Sequence, residues 1–440
     1  MESSSINRRN FLKRTSVTVI GAGVASQLAL ADNTSTHGPE EIKIREYRKF
    51  GRTGFKVSDI SSGNPSNESV LRALLKKGVN LIDTGEQYGN GNSEKLIGTV
   101  IKDFDRSKLF INSKLYTEKS FPSKQEVIDR TNACLERLGT SYVDCMQIHS
   151  AENRTILKDE AFHSAMEQLK KEGKVRHIGV SCHGSSWAYN TEEDLATIML
   201  SAIEDGRFDV LLLAYNFVNA DMAEKVLEAC EKKNIATIIM KSNPVYIYGL
   251  MEQRMATFKQ KGEKPDEYTK AFYDKYKVMH DGALAFFNKY GIKDEAELVA
   301  AASKYVLSNP KAHTTLWDFR NFTEVEQMLS LSGQKLSKKD NLALEGFKND
   351  YGTRMCRIGC NTCEAACPHH LEVNKIMRYN YYFTAKKQEK RAIANFASLE
   401  GKKPSDVCEA CEGFCEKACP YGVSTRALLA SAQQNMDLMA

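Results

Sequence analysis

The 440-residue sequence lacks a strong net charge and, after its first 31 residues, any long apolar run. A net charge of +5 without a basic stripe of interleaved aromatic residues gives nucleic-acid binding no support. Because no later stretch is apolar enough to cross a bilayer, we expect no membrane span in the mature chain. Cysteine is scarce over most of the chain, where four isolated residues are interpreted as small buried hydrophobes: Cys134, Cys145, Cys182 and Cys230.

The N-terminus has the features of an export signal. Asn7-Arg8-Arg9-Asn10-Phe11-Leu12-Lys13 precedes an apolar run from Ser16 to Ala31, and Ala29-Leu30-Ala31 offers the small residues that a signal peptidase reads. The Arg pair resembles a twin-arginine signal, which marks proteins that are exported already folded. The alternative is an ordinary secretory signal with a basic start. We therefore expect residues 1–31 to be removed, residues 32–44 to form a linker, and the mature protein to be periplasmic or otherwise exported.

Two cysteine runs near the C-terminus nearly repeat each other. They are Cys356-Arg-Ile-Gly-Cys360-Asn-Thr-Cys363-Glu-Ala-Ala-Cys367-Pro368 and Cys408-Glu-Ala-Cys411-Glu-Gly-Phe-Cys415-Glu-Lys-Ala-Cys419-Pro420. Thiols so closely spaced could not easily pair as disulfides within a run, and zinc remains an alternative for one four-thiol site. The Cys-Pro endings favour iron–sulfur clusters.

Both runs resemble those of bacterial-type 4Fe–4S ferredoxins, although the spacing departs by one residue before Cys360 and before Cys415. The resemblance implies two clusters, each held by three thiolates of one run and the fourth of the other. The implied ligand sets are Cys356, Cys360, Cys363 and Cys419, and Cys408, Cys411, Cys415 and Cys367. Because clusters are assembled in the reducing cytoplasm, such a protein must be exported folded. Leu371–Leu399 has helical periodicity, so residues 336–440 are predicted to form a mainly helical ferredoxin-like domain.

The residues before these cysteines alternate between strand-like and helix-like segments. Eight strands at this spacing predict a parallel (β/α)8 TIM barrel over residues 45–335, of the α/β class. The predicted strands are Val57–Ser61, Val79–Asp83, Leu109–Leu115, Tyr142–His149, Val175–Ser181, Phe208–Tyr215, Ile235–Lys241 and Thr314–Trp317. An insertion at residues 243–290, rich in aromatics, either covers the barrel or packs as a helical layer.

Chemistry in such barrels lies where the strands end. Asp83, Lys114 and His149 are predicted at or near the ends of the second, third and fourth strands, and Tyr88 lies in the loop directly after Asp83. A phenol needs a neighbouring cation to transfer protons at neutral pH, and a buried lysine needs a counter-ion. Together the four residues therefore indicate an acid–base site.

Several ordered motifs resemble the aldo/keto reductase family, specifically its iron–sulfur-bearing branch. These motifs are Phe50-Gly-Arg-Thr-Gly54, Asn80-Leu-Ile-Asp83-Thr-Gly-Glu-Gln-Tyr88-Gly, Gly91-Asn-Ser-Glu94, Leu138-Gly-Thr-Ser-Tyr142-Val-Asp-Cys-Met-Gln-Ile-His149 and Gly173-Lys-Val-Arg-His-Ile-Gly179-Val-Ser181. The resemblance implies that Tyr88 is the general acid/base, that Lys114 lowers its pKa, that Asp83 pairs with Lys114, and that His149 polarises or orients the substrate carbonyl.

The family's nicotinamide-nucleotide contacts are eroded in this sequence. Four replacements carry this expectation: Ser181-Cys182 for Ser-Asn, Leu212 for Gln, Trp317-Asp318 for Pro-Gly, and Gln327-Met328 for Glu-Asn. An aspartate beside a pyrophosphate repels it, and its Cβ blocks close approach of the backbone. Ser181 and Arg320 remain as candidate cofactor-binding residues. We expect no useful binding of NADP(H).

The sequence thus predicts an exported iron–sulfur oxidoreductase resembling aldo/keto reductases, acting on a carbonyl or alcohol substrate such as a sugar derivative. Electrons would pass through two 4Fe–4S clusters to or from an exocytoplasmic redox partner. Two alternatives remain open. One is a non-redox acid–base enzyme or binding protein with structural clusters. The other is an ordinary NADPH-dependent aldo/keto reductase.

Overall fold

A computed structural model describes residues 41–184, 193–244, 261–262, 264, 267–386, 388–399, 401 and 403–437. For residues 268, 269 and 271–280 it describes the backbone only. The expected signal peptide and most of the expected linker lie outside these ranges, so both stay predictions.

The chain begins with a short hairpin before the barrel. Strand β1 (Tyr47–Lys49) pairs antiparallel with β2 (Lys56–Ser58). The predicted strand Val57–Ser61 is wrong in its bounds, because the chain bends at Asp59 and the first barrel strand, β3, is Ile60–Gly63. Residues that are remote in sequence hold this bend. The Asp59 carboxylate accepts hydrogen bonds from the Ser332 hydroxyl (2.7 Å) and the Gly333 N–H (2.8 Å).

Eight parallel strands then form a closed barrel. After β3 these are β4 Leu81–Asp83, β5 Phe110–Tyr116, β6 Val143–His149, β7 Val175–Cys182, β8 Val210–Ala214, β9 Ala236–Met240 and β10 Thr314–Trp317. Each strand pairs with the next, and β10 returns to pair with β3. Most strand residues are buried on both faces, as expected of strands that lie between a packed interior and a ring of helices. The predicted (β/α)8 barrel is confirmed.

Helices follow the barrel strands in the predicted places. They are α1 Glu68–Lys76, α2 Asn92–Ile101, α3 Lys124–Leu138, α4 Glu160–Lys171, α5 Leu195–Asp205, α6 Ala220–Lys232, α7 Glu267–Tyr290, α8 Glu295–Ser308 and α9 Phe322–Leu329. Many begin where a polar side chain caps free backbone N–H groups. The Asp194 carboxylate, for example, accepts from the Thr197 N–H at 2.7 Å, and α5 begins at the next residue, Leu195.

Beyond β10 and α9 the described chain is helical, with no strand. It contains α10 Lys338–Tyr351, α11 Val373–Thr384, α12 Glu389–Ala397, α13 Pro404–Val407, α14 Phe414–Lys417 and α15 Thr425–Met436. The predicted helical stretch Leu371–Leu399 is two helices, α11 and α12. These helices pack an apolar cluster of their own, separate from the barrel core, which includes Leu371, Ile376, Phe396 and Leu429.

Helix α7, which ends the predicted insertion, packs against α10. The Phe286 ring lies 5.9 Å from that of Phe347 and 5.6 Å from that of Tyr351, both in edge-to-face geometry. The described end of the insertion is therefore a helical packing layer against α10. Residues 245–260, which carry other aromatics of the insertion, lie outside the described residues. Over the described residues, we find no helix with the length and apolarity that crossing a membrane requires.

Candidate active site

A buried ion pair lies at the face formed by the carboxyl ends of the barrel strands, called here the mouth. The Lys114 Nζ of β5 donates to the Asp83 Oδ2 of β4 at 2.6 Å and to the Thr84 carbonyl at 2.6 Å. The other Asp83 oxygen accepts from Asn112 Nδ2 at 2.6 Å. Because Lys114 is 1% and Asp83 3% exposed, the pair is held in one geometry with its charges shielded from water.

Tyr88 and His149 complete the arrangement. The Lys114 Nζ lies 4.9 Å from the centre of the Tyr88 ring. The Tyr88 ring in turn lies 5.5 Å from the His149 imidazole at 81°. The His149 Nδ1 is buried and has no hydrogen-bond partner among the described residues. The structure therefore brings together all four residues that the sequence singled out, with a phenol and an imidazole side by side.

The electrostatics of the site differ from expectation in one respect. Burial raises the pKa of Tyr88; Lys114 lowers it, Asp83 and Asp318 raise it further, and the net pKa is above the ordinary value. The expectation that Lys114 lowers this pKa holds for its own contribution, but burial outweighs it. Tyr88 is thus a neutral phenol at pH 7, which suits a proton donor.

The neighbouring groups have shifted pKa values of their own. Burial raises the pKa of Asp83, and Lys114 offsets this in part. Burial lowers the pKa of Lys114, but Asp83 and Tyr88 together raise it by more, so the amine stays protonated. Burial, with Lys114 nearby, brings the pKa of His149 well below its ordinary value, so the imidazole is neutral. A neutral imidazole can orient a carbonyl by hydrogen bonding, and it adds no second positive charge beside Lys114.

The residues at the expected nucleotide positions have other partners. The Ser181 hydroxyl, 2% exposed, accepts from the Ser150 N–H at 2.8 Å and so holds the turn after His149. The Cys182 Sγ accepts from the Gly184 N–H at 3.2 Å. Arg320 is exposed at the rim. A carboxylate lies near the tetrad, because Asp318 is close enough to raise the pKa values of Asp83 and Tyr88.

Helices α11 and α12 from the C-terminal region lie against the mouth. The Tyr381 hydroxyl donates to the Asn243 carbonyl at 2.8 Å. Near the expected phosphate turn, the Lys386 Nζ lies 4.7 Å from the centre of the Trp317 ring, and Gln388 Nε2 lies 3.5 Å from Asp318 Oδ2. This part of the mouth is therefore occupied by the chain itself.

Sequence reasoning missed further residues at the mouth. His183 follows β7, and Lys241 follows β9. Burial lowers the pKa of His183 well below its ordinary value, and Lys241 and His149 contribute to the shift. The positions of His183 and Lys241 at strand ends were a usable signal. Tyr382, Arg378 and Arg391 come from another part of the chain, and no local pattern ties those residues to the barrel.

The eight C-terminal cysteines are free thiols. Thiols that shift one another's pKa largely belong to the same implied ligand set, but Cys415 of the second set also contributes to the shift of Cys363, so the ligand pairing stays a prediction. Burial raises the pKa of Cys356, and the nearby thiols of Cys360 and Cys419 add to the shift. Burial likewise raises that of Cys363, with Cys356 and Cys360 contributing. Thiols that oppose one another's ionisation in this way need a cation to become thiolates together, which is what a metal cluster provides.

The second set behaves in the same way. Burial raises the pKa of Cys408 to about 11, with contributions from Cys415, Cys367 and Cys411. In the described residues, no group of three or more His, Cys, Asp or Glu side chains is placed to hold a metal ion. A 4Fe–4S cluster bonds its four thiolates to different irons, so its ligands surround a larger body than one ion. The two thiol sets therefore stay candidate ligands for a group of that kind.

The fold and the mouth define a class. This is a (β/α)8-barrel enzyme with an Asp–Lys–Tyr–His acid–base site at the carboxyl ends of its strands. A family profile described as "Aldo/keto reductase family" matches residues 51–349. The chain belongs to that family and is an oxidoreductase of the aldo/keto reductase type. The matched segment ends before Cys356, so the metal content of the cysteine-rich region stays a prediction.

Individual relatives and solved structures are similar to this chain over most of the barrel. The chain is 24% identical over 338 residues to aldo-keto reductase YhdN of Bacillus subtilis, covering 69% of this chain and 95% of that protein. It is 27% identical over 301 residues to L-galactose dehydrogenase of Arabidopsis thaliana, covering 64% of this chain and 86% of the relative. Among solved structures, aldo-keto reductase AKR11C1 from Bacillus halodurans (holo form) is similar with a TM-score of 0.48 and 17% identity, covering 69% and 96% of the two chains.

Proposed function

We propose that the protein is an exported iron–sulfur aldo/keto reductase that interconverts a carbonyl and an alcohol without a nicotinamide nucleotide. The observation that carries the proposal is the placement of the segment between α11 and α12. Lys386 and Gln388 lie against Trp317 and Asp318, at the turn where the family holds the pyrophosphate. A carboxylate at that turn, with the chain's own side chains beside it, disfavours a dinucleotide there.

The barrel residues supply the acid–base chemistry. Reduction of the carbonyl to the alcohol takes two electrons and two protons. The neutral Tyr88 phenol donates the proton that goes to the oxygen, and Lys114 stabilises the phenolate that forms. The proton that goes to the carbon comes from solvent water, and the two electrons come from the exocytoplasmic redox partner. Asp83 holds Lys114 in position through the 2.6 Å contact. The neutral His149 imidazole orients the carbonyl. In the oxidising direction the same groups act in reverse, with the alcohol proton passing to the phenolate.

The two thiol sets are the proposed ligands of two 4Fe–4S clusters: Cys356, Cys360, Cys363 and Cys419, and Cys408, Cys411, Cys415 and Cys367. When bound, each cluster can carry one electron, so two clusters match the two electrons exchanged per carbonyl. An exocytoplasmic protein is the proposed redox partner. Export by the twin-arginine route is part of the proposal, and Arg8 and Arg9 are its support.

Dye-linked turnover tests this function. Anaerobic holoprotein without nucleotide is expected to reduce ferricyanide with a member of a panel of sugars and sugar acids. Cluster-free protein, prepared by chelation and shown by circular dichroism to be folded, serves as the control and is expected to be inactive. Turnover that requires NADP⁺ and proceeds equally in the cluster-free protein would contradict the proposal and identify an ordinary nucleotide-dependent reductase.

A further inference from the structure

Cationic side chains from two parts of the chain converge on one buried phenol at the mouth. Tyr382 of α11 is 4% exposed. The Lys241 Nζ lies 4.5 Å from the centre of its ring, and the Arg391 guanidinium carbon lies 4.9 Å from it. Lys241 also has a positive φ of 56°, a strained backbone for a lysine. The strain and the two cations indicate a site that is held in place for a purpose other than packing.

A third cation, Arg378 of α11, is buried beside them. It is 7% exposed, and its Nε has no hydrogen-bond partner among the described residues. Burial lowers the pKa values of His149 and His183, and Arg378 is close enough to both to lower them further. A buried guanidinium with an unsatisfied donor loses hydration without recovering it from the protein. Its environment is therefore incomplete without a further acceptor.

The carboxylates that face this region do not balance the charge. Burial lowers the pKa of Arg378, and Glu152 is among the groups that raise it, but the Glu152 carboxylate is ion-paired with Lys375 at 3.5 Å. Asp318 faces Lys386, whose pKa is lowered to about 8 by burial despite that carboxylate. Among the described residues, Lys241, Arg378 and Arg391 form no ion pair with a carboxylate. Cations thus exceed anions here, and a partly buried excess of positive charge is stabilised by a bound anion.

We propose that Lys241, Arg378, Tyr382 and Arg391, called here the cationic cluster, bind an anionic oxyacid group of the substrate, a carboxylate or a phosphate. Placing the substrate's carbonyl at Tyr88 and His149 then places its charged group at the cluster. This favours sugar acids or sugar phosphates over neutral sugars. That the bound molecule is the substrate rests on the proposed function; that the cluster binds an anion does not.

Electrostatics of the phenol agree with this assignment. Burial alone would raise the pKa of Tyr382, but Lys241, Arg378 and Arg391 bring it down to about 8. The cluster therefore already favours a negative oxygen at its centre. An anionic ligand bound at the cluster would repel the Tyr382 phenolate. Binding is therefore expected to raise the pKa of Tyr382. Loss of the tyrosinate ultraviolet signal near pH 8 on adding the anion, absent in Tyr382→Phe, locates the bound group.

Calorimetric titration at pH 7 tests the site with three probes: glucuronate, glucose 6-phosphate and glucose. At least one anionic probe is expected to bind about tenfold or more tightly than glucose, because a charge-assisted hydrogen bond contributes that much. Binding by glucuronate alone assigns a carboxylate site, and binding by glucose 6-phosphate alone assigns a phosphate site. Lys241→Met and Arg391→Met are each expected to weaken the anionic probe by about tenfold or more.

Lys390→Met is the matched control, since Lys390 is exposed on the same helix as Arg391 and loses the same charge. It is expected to bind as the wild type does. Arg391 is itself exposed, so its variant is expected to fold even if Lys241→Met does not. Equal binding of glucose and both anions, or wild-type binding in Arg391→Met, overturns the proposal. So does tight NADPH binding that Lys241→Met abolishes. Since no turnover is needed, the result is independent of the dye-linked assay.

Discussion

Replacing Tyr88 with Phe is expected to lower kcat by about 10²–10⁴-fold, the usual contribution of a positioned proton donor. The phenol is neutral because burial raises its pKa, and it lies beside Lys114 and against His149. Phe keeps the ring and its packing but has no proton to give. The direct 2.6 Å contact between Asp83 and Lys114 is expected to remain in the variant. Dye-linked turnover, with circular dichroism and iron analysis on the same sample, measures the effect.

Tyr116→Phe is the matched control for this variant. The Tyr116 ring also lies beside His149, at 6.2 Å between ring centres, but Lys114 does not face it in the way it faces Tyr88. The control is expected to retain turnover within a few-fold of wild type. Wild-type activity in Tyr88→Phe would remove Tyr88 from the mechanism. Equal losses in both variants would indicate a packing effect around His149.

Anaerobically purified protein is expected to contain about eight irons with equimolar labile sulfide, four for each thiol set. The double variant Cys356→Ser/Cys363→Ser removes two proposed ligands of one set. It is expected to retain about four irons, because the second set keeps all four thiols. Iron and sulfide analysis on folded, anaerobic samples measures this change.

Cys230→Ala controls for the loss of a thiol, since Cys230 is buried in the barrel core and burial alone raises its pKa. It is expected to keep the full iron content. A colourless wild-type protein with stoichiometric zinc would contradict the cluster assignment. Loss of all iron in the double variant would show that the two sets do not assemble independently, while leaving the total of eight in place.

Sequence periodicity predicted the barrel well because its strands are buried on both faces and many of its helices begin at side-chain caps. Asp83, Lys114 and His149 could be found because a barrel places strand-end residues at one mouth. The bend at Asp59 could not, since it depends on Ser332 and Gly333, which are remote in sequence. Patterns over a few neighbouring residues carry no information about such contacts or about how those contacts shift a strand boundary.

The largest omission was the role of α11 and α12. Their sequence predicts helices but not their docking on the barrel, which depends on tertiary contacts such as Lys241 with Tyr382 and Lys386 with Trp317. The pKa of Tyr88 was expected to fall for a related reason. The sequence indicates that Lys114 lies near Tyr88. It does not show how deeply Tyr88 is buried, and burial decides that the pKa of Tyr88 rises instead of falling.

The most direct test of the central claim is calorimetric titration of anaerobic holoprotein with NADPH. Asp318 stands at the turn that the family resemblance assigns to the pyrophosphate, and Gln388, just before α12, lies 3.5 Å from it. By the same resemblance, Cys182, Leu212 and Met328 replace the family's other contacts. Each lost hydrogen-bond partner costs about 1–3 kcal/mol, so we expect no measurable binding at micromolar NADPH. A dissociation constant in the low micromolar range would contradict the account and return hydride transfer from NADPH to the centre of the mechanism.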